Sequence, residues 1–156
     1  MFSSIFTRIL VPYDGSKFSK KALQRAIEVA HNLDSEIFLF SVVNSGYISP
    51  PGMLHGLTRT KSEKEAIKRW TATVKKDAEK MLRSAINQCK SKGITARYNV
   101  SQGNISKEIL DFAKKKKATI IIIGSQGLHG IGKIKSLGSV SRKVSEHADC
   151  PVLIIR

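Results

Sequence analysis

The sequence is poor in aromatic residues, proline and cysteine. Aromatic residues make up 6% of its 156 positions, and it contains four prolines and two cysteines. Cys89 and Cys150 lie far apart, in neither a C-x-x-C spacing nor a Cys/His metal spacing, so we expect two buried, reduced thiols and no disulfide. The four histidines share no ligand spacing either, and no metal site is predicted.

Long apolar runs and acidic residues are also scarce. No run approaches the roughly 20 apolar residues of a membrane span, and the first residues do not resemble a signal peptide, so we expect a cytoplasmic protein without membrane association. The sequence has 12 acidic residues and 27 Lys and Arg, which gives a net charge of +15. That charge favours anionic partners. Because aromatic residues are few and no reading motif is present, specific nucleic-acid binding is not expected.

Five apolar runs with strand character alternate with amphipathic helical patterns. Several runs are apolar on both faces, which is typical of parallel strands covered by helices on both sides. The pattern predicts one α/β domain over residues 1–156, with a doubly wound, five-stranded parallel sheet of the Rossmann or flavodoxin type. In such sheets ligands bind at the carboxyl ends of the strands, where the winding reverses. The predicted strands are Ile9–Val11, Ile37–Val43, Ile94–Val100, Ile120–Ile123 and Val152–Ile155.

A glycine-rich loop joins the fourth strand to the last helix. We expect its glycines to adopt positive φ angles and to let the backbone approach an anion. The helix that begins at Gly138-Ser139 would add free amides and a positive dipole end. The stretch therefore predicts a phosphate-binding loop, with glycines at positions 124, 127, 130, 132 and 138.

Simpler or competing interpretations exist for the same residues. Gly127 to Lys133 matches the G-x-x-x-x-G-K core of a Walker A loop, although Ile134 replaces the Ser or Thr that would bind Mg²⁺. Gly138-Ser139 would also suit an ordinary helix start, and Asp14 would suit the cap of the first helix. No nucleophile with an adjacent base is recognisable, so no catalytic residue is predicted.

Three segments resemble the universal stress protein family. They are Ile9-Leu-Val-Pro-Tyr-Asp-Gly-Ser16, Gly124-Ser-Gln-Gly127 with Gly138-Ser139-Val140, and Ala148-Asp-Cys-Pro-Val-Leu-Ile-Ile155. Gly103 to Ile109 is similar to the family as well, so the resemblance covers nearly the whole chain. It implies a universal stress protein domain with an adenine nucleotide alpha hydrolase-like fold.

The resemblance also implies a site for ATP or another adenine nucleotide, alone or with Mg²⁺. Pro12, Tyr13 and Asp14 would border the adenosine, and Val42 would pack on the adenine. The ribose and phosphates would meet Gly124, Gly127, Gly138, Ser139 and Val140. ATP-binding members place nine residues between G-x-x-G and G-[ST], whereas ten residues stand between Gly127 and Gly138 here.

The function expected from this resemblance is an ATP-binding switch in the stress response. Val152–Ile155 would form the homodimer edge, an unidentified protein would read the bound state, and ATP hydrolysis would be slow at most. Residues 44–60 would serve as a lid or binding loop, or simply as a surface insertion. The alternatives are a universal stress protein that has lost ATP binding and acts as a protein-interaction module, and a basic protein associated with nucleic acid.

Overall fold

Strands and helices alternate along residues 6–44, 60–128 and 136–156, which the computed structural model describes. All sheet pairs are parallel, in the order β3-β2-β1-β4-β5. The predicted doubly wound sheet is therefore confirmed, and the winding reverses between β1 and β4. The elements are β1 (Arg8–Pro12), α1 (Lys17–Leu33), β2 (Glu36–Asn44), α2 (Lys61–Ser91), β3 (Ala96–Gly103), α3 (Ile105–Lys116), β4 (Ile120–Gly124), α4 (Ser139–His147) and β5 (Val152–Ile155).

The sheet has a separate apolar core on each face. On one face Ile9 and Val11 of β1 pack with residues of α1 and α2. On the other face Leu10 packs with residues of α3 and α4. Because successive strand side chains point to opposite faces, the continuous apolar runs of β1 and β4 supply both cores.

The third strand lies further along the chain than the prediction of Ile94–Val100. Ile94 follows Gly93, whose φ is 72°, and its amide donates to the carbonyl of Cys89 at 3.0 Å, so it lies in the turn that follows α2. The strand continues instead through Ser101–Gly103, which pair with Val42–Asn44 of β2. Backbone pairing at this sheet edge extends the strand beyond its apolar residues.

Both thiols were expected to be buried, and this expectation was wrong for Cys150. Cys89 is buried in the core beneath α2, and burial raises the pKa of its thiol to about 11. Cys150 is only partly buried, because it lies in the turn between α4 and β5. Both thiols are free, as predicted.

None of the helices within the described residues has the length and apolar character needed to cross a bilayer.

Candidate functional site

The strands β1 and β4 separate before they end, at the point where the winding reverses. Pairing between them stops at Leu10 and Ile121, whereas β1 pairs with β2 as far as Pro12. Beyond the paired region, residues 13–16 follow β1 and residues 125–128 follow β4. We call the space bordered by these two segments the β1–β4 crevice.

Asp14 joins the two sides of the crevice. Its Oδ1 accepts from the amide of Ser16 at 2.9 Å, and its Oδ2 accepts from the amide of Leu128 at 3.2 Å. Ser16, not Asp14, is the N-cap of α1, and its hydroxyl oxygen accepts from the Ser19 amide at 3.2 Å. Asp14 therefore orients the cap and ties residues after β1 to residues after β4, leaving a partly exposed carboxylate at the crevice.

The helix α4 begins at Ser139, as predicted, and no side chain among the described residues caps it. Its N-cap is Gly138, which has no hydroxyl or carboxylate to offer. The amide of Gly138 donates to the carbonyl of Ser125 at 2.8 Å, so it is already used within the protein. The amides of Ser139 and Val140 lie in the first turn, where free N–H groups and the positive dipole end favour an anion.

The glycines of this loop are required for close contacts rather than for unusual dihedral angles. None of Gly124, Gly127 and Gly138 has a positive φ, so that expectation was wrong for the described glycines. A Cβ on Gly124 would lie 2.7 Å from the carbonyl carbon of Phe18, and a Cβ on Gly127 would lie 2.9 Å from Asp14 Oδ2. A Cβ on Gly138 would lie 3.3 Å from the Ser125 carbonyl oxygen. Their missing side chains let α1, Asp14 and α4 approach the loop.

The residues expected to contact adenosine differ in their exposure to solvent. Pro12 is buried, and Tyr13 is 5% exposed with its ring in the core covered by α1 and α2. Burial raises the pKa of the Tyr13 phenol, and the charge of nearby Asp14 adds to the rise. Val42 is half-buried on the opposite face of the sheet. Asp14 and Val42 are thus the members of this group that remain partly exposed, and Asp14 lies at the crevice.

The Walker A interpretation does not fit the start of the last helix. In a P-loop the helix begins at the lysine, but residues 136–138 are not helical and α4 begins six positions after Lys133. Residues 129–135, including Lys133 itself, lie outside the described residues. So does most of the predicted lid, residues 45–59.

Two clefts in the described part of the chain lie away from the crevice. One, of about 320 Å³, lies at the amino ends of β2 and β3 and contains the ion pair between Arg97 and Glu36. The other, of about 440 Å³, lies beside the carboxyl ends of α3 and α4. Lys114 and Lys117 line this cleft, where their positive charges offset the partial negative charge of the helix carboxyl ends. Among the described residues, no three His, Cys, Asp or Glu side chains converge as a metal site would require.

Comparisons with known proteins establish the family. The model of the universal stress protein family matches residues 6–156. A universal stress protein of Bacillus subtilis, YxiE, is 35% identical over 97% of this chain and 100% of its own length. The solved structure of UspA from Lactobacillus plantarum superimposes with a TM-score of 0.81 at 22% identity, covering 97% of this chain and 98% of that one. The chain belongs to the universal stress protein family.

Three other solved family structures contain adenine nucleotides. A universal stress protein in complex with cAMP covers 97% of both chains, with a TM-score of 0.66 at 20% identity. One from Archaeoglobus fulgidus with dAMP has a TM-score of 0.62 at 24% identity, covering 97% of this chain and 99% of that one. One from Arabidopsis thaliana with AMP has a TM-score of 0.62 at 19% identity, covering 96% and 90%.

The structure adds two residues that sequence reasoning missed. Gln126 Nε2 donates to the carbonyl of Ser136 at 3.1 Å, and the Ser141 hydroxyl donates to the carbonyl of Ser125 at 2.8 Å. Both contacts join the chain after β4 to the chain before or within α4. The available signal was Ser141 itself, a small polar residue three positions after Gly138.

Proposed function

We propose that this protein binds ATP or a related adenine nucleotide in the β1–β4 crevice. The phosphates lie at the uncapped start of α4, facing the amides of Ser139 and Val140. The ribose lies against Asp14 and Gly127, and the base lies toward Val42. The observation that carries this proposal is the α4 start beside the crevice, whose backbone donors have no side-chain cap within the described part of the chain.

Electrostatics supports this orientation of the nucleotide. The Asp14 carboxylate lies next to Gly127, so a phosphate at Gly127 would face a negative charge. Ribose hydroxyls are hydrogen-bond donors that a carboxylate accepts. The adenine nucleotides found in related structures support the same ligand class. Any Mg²⁺ would arrive with the phosphates.

We further propose that the protein acts in the cytoplasm as a homodimeric switch in the stress response, with slow ATP hydrolysis at most. The edge strand β5 supports the dimer, because its outer backbone groups lack a neighbouring strand in the described chain and Leu153 is 38% exposed. Bound nucleotide would alter the surface that an unidentified partner protein reads. A solution mass of one chain at micromolar concentration would contradict the dimer.

Two measurements test the nucleotide proposal. The first identifies any nucleotide released by denaturing freshly purified protein. The second is calorimetry with ATP, AMP, cAMP and adenosine, for which we expect saturable binding of at least one nucleotide. Failure of every nucleotide at millimolar concentration, with Mg²⁺ present, would reject the proposal.

A pair of variants then tests the site. Asp14→Ala removes the proposed ribose acceptor and should weaken ATP binding about tenfold. Lys133→Ala removes one cation and should weaken it by about fivefold or less. Abolition by Lys133→Ala with tolerance of Asp14→Ala would favour a Walker-type site instead.

The second candidate function is a protein-interaction module without bound nucleotide. Two observations favour it: Asp14 already accepts from the amide of Leu128, and the glycine spacing is one residue longer than in ATP-binding members. Nucleotide-free protein that still forms the β5 dimer is the outcome expected for this candidate.

A further inference from the structure

Ser141 is a buried hydroxyl in the first turn of α4. It is 2% exposed, and its Oγ lies 2.8 Å from the carbonyl oxygen of Ser125 and 3.0 Å from that of Gly138. A serine hydroxyl has one proton, so the two carbonyls share it. The shorter contact joins α4 to the chain that leaves β4, sixteen positions earlier.

Two further hydrogen bonds connect the same two parts of the chain. The Gly138 amide donates to the Ser125 carbonyl at 2.8 Å, and Gln126 Nε2 donates to the Ser136 carbonyl at 3.1 Å. These three bonds fix the start of α4 against the end of β4. The position of the helix start is therefore set by these contacts and not only by the number of residues in between.

The amide of Ser125 connects this arrangement to the sheet. It donates to the carbonyl of Ile155, the last residue of β5, at 2.8 Å. Ser125 is itself 5% exposed, so water does not compete freely for its backbone groups. Its carbonyl is consequently a fixed acceptor, and Ser141 and Gly138 are held by a rigid part of the protein.

We infer that Ser141 is a positioning residue that sets the affinity for phosphate. Its hydroxyl holds the first turn of α4 so that the amides of Ser139 and Val140 face the crevice. This inference rests on the proposed nucleotide function. With these bonds in place, the ends of the loop remain joined despite the additional residue between Gly127 and Gly138.

Ser19 provides a matched control. It occupies the same position of α1, three residues after the N-cap, is 4% exposed, and its hydroxyl donates to the N-cap carbonyl of Ser16 at 3.1 Å. Within the described contacts it makes no bond to a distant carbonyl. Ser19→Ala thus removes the local bond alone, whereas Ser141→Ala removes the local and the long-range bond.

The experiment measures ATP and adenosine binding by calorimetry for the unmodified protein, Ser141→Ala, Ser141→Thr and Ser19→Ala. Ser141→Ala should weaken ATP about tenfold while changing adenosine by less than about twofold, because only ATP has phosphates to place. Ser141→Thr keeps a hydroxyl that can reach the Ser125 carbonyl and should restore most ATP affinity. Ser19→Ala should bind both ligands normally. Equal losses for ATP and adenosine, unchanged ATP affinity in Ser141→Ala, or an equal ATP loss in Ser19→Ala would overturn the inference.

Amide hydrogen exchange provides a readout that needs no nucleotide. The Gly138 amide should exchange about tenfold faster in Ser141→Ala than in Ser19→Ala, since its acceptor and helix turn are no longer held together. Equal exchange in the two variants would overturn the positioning role. Failure of the unmodified protein to bind any nucleotide rejects the proposed function, and the exchange result still decides what Ser141 does.

Discussion

The helices α1 and α4 both begin beside the β1–β4 crevice, but they differ in whether a side chain accepts a hydrogen bond from their first-turn amides. At α1, Asp14 orients Ser16, and Ser16 caps the helix by accepting from the Ser19 amide. At α4, the N-cap is Gly138, and in the described ranges of the chain no side chain caps the first turn. A side chain accepts from a first-turn amide of α1, whereas none among the described residues does so for α4. Under the proposed function, one edge of the sheet supplies both a rigid wall and an anion site.

The largest expected effect concerns the packing of α1 against the end of β4. In Gly124→Ala the new Cβ would lie 2.7 Å from the carbonyl carbon of Phe18, which is backbone and cannot move alone. We expect the free energy of unfolding to fall by about 3 kcal/mol in urea titrations. Gly127→Ala is the control, because its Cβ meets only a movable carboxylate oxygen, and it should cost less than about 1 kcal/mol. Equal losses in the two variants would show that α1 is not held rigidly against β4.

The second effect tests whether water is excluded from the core between the sheet and the helices α1 and α2. Burial raises the pKa of Cys89 from an ordinary value of 9.0 to about 11. Between these values the unfolded chain loses the thiol proton and the folded chain keeps it, so stability falls as pH rises. Stability is full below about pH 9, and about 2 kcal/mol is lost by about pH 11.

The measurement is urea unfolding of the unmodified protein and of Cys89→Ala at several pH values between 8 and 11. Other groups also titrate in this range, so the difference between the two proteins isolates the thiol. We expect that difference to shrink as pH rises. A difference that is constant with pH would mean that water reaches Cys89.

The third effect removes the contrast between the helices by capping α4. Gly138→Asp supplies a carboxylate that accepts from the first-turn amides and repels phosphate. ATP should bind at least about tenfold more weakly than to Gly138→Ala, while Gly138→Asp should be the more stable of the two by about 1 kcal/mol. Gly138→Ala is the necessary reference, because any Cβ there lies 3.3 Å from the Ser125 carbonyl oxygen. Equal ATP affinity in both variants would mean that the first-turn amides do not hold the phosphates.

The fold could be predicted from the sequence because the residues of both cores form recognisable apolar patterns along the chain. The apolar runs of β1, β2, β4 and β5 indicated buried parallel strands, and the structure places strands there. Ser101–Gly103 of β3 could not be predicted in this way, since polar residues joined the strand through backbone pairing with β2. The position of a strand end at a sheet edge is a tertiary property.

The site was predictable only in outline. The Gly138-Ser139 pair indicates a helix start by local chemistry, and α4 begins there. The sequence does not show whether a glycine is needed for a positive φ angle or for close packing against a neighbouring group. Positive φ was therefore wrongly expected at Gly124 and Gly127. The bond from Ser141 to the Ser125 carbonyl leaves no periodic pattern, because its acceptor is a backbone group that every residue has.

The smallest effect tests the α1 side of the comparison. Ser16→Ala removes the side chain that accepts from the Ser19 amide and should cost about 1 kcal/mol of stability in urea unfolding. Its matched control is Asn104→Ala, because Asn104 caps α3 in the same way by accepting from the Lys107 amide at 3.1 Å. Both variants should bind ATP within about twofold of the unmodified protein, since a completed helix start has no donor reserved for phosphate. If Ser16→Ala lost ATP affinity tenfold while Asn104→Ala did not, the start of α1 would also belong to the nucleotide site. The phosphates would then lie between the two helices, and the distinction between a rigid wall and an anion site would be wrong.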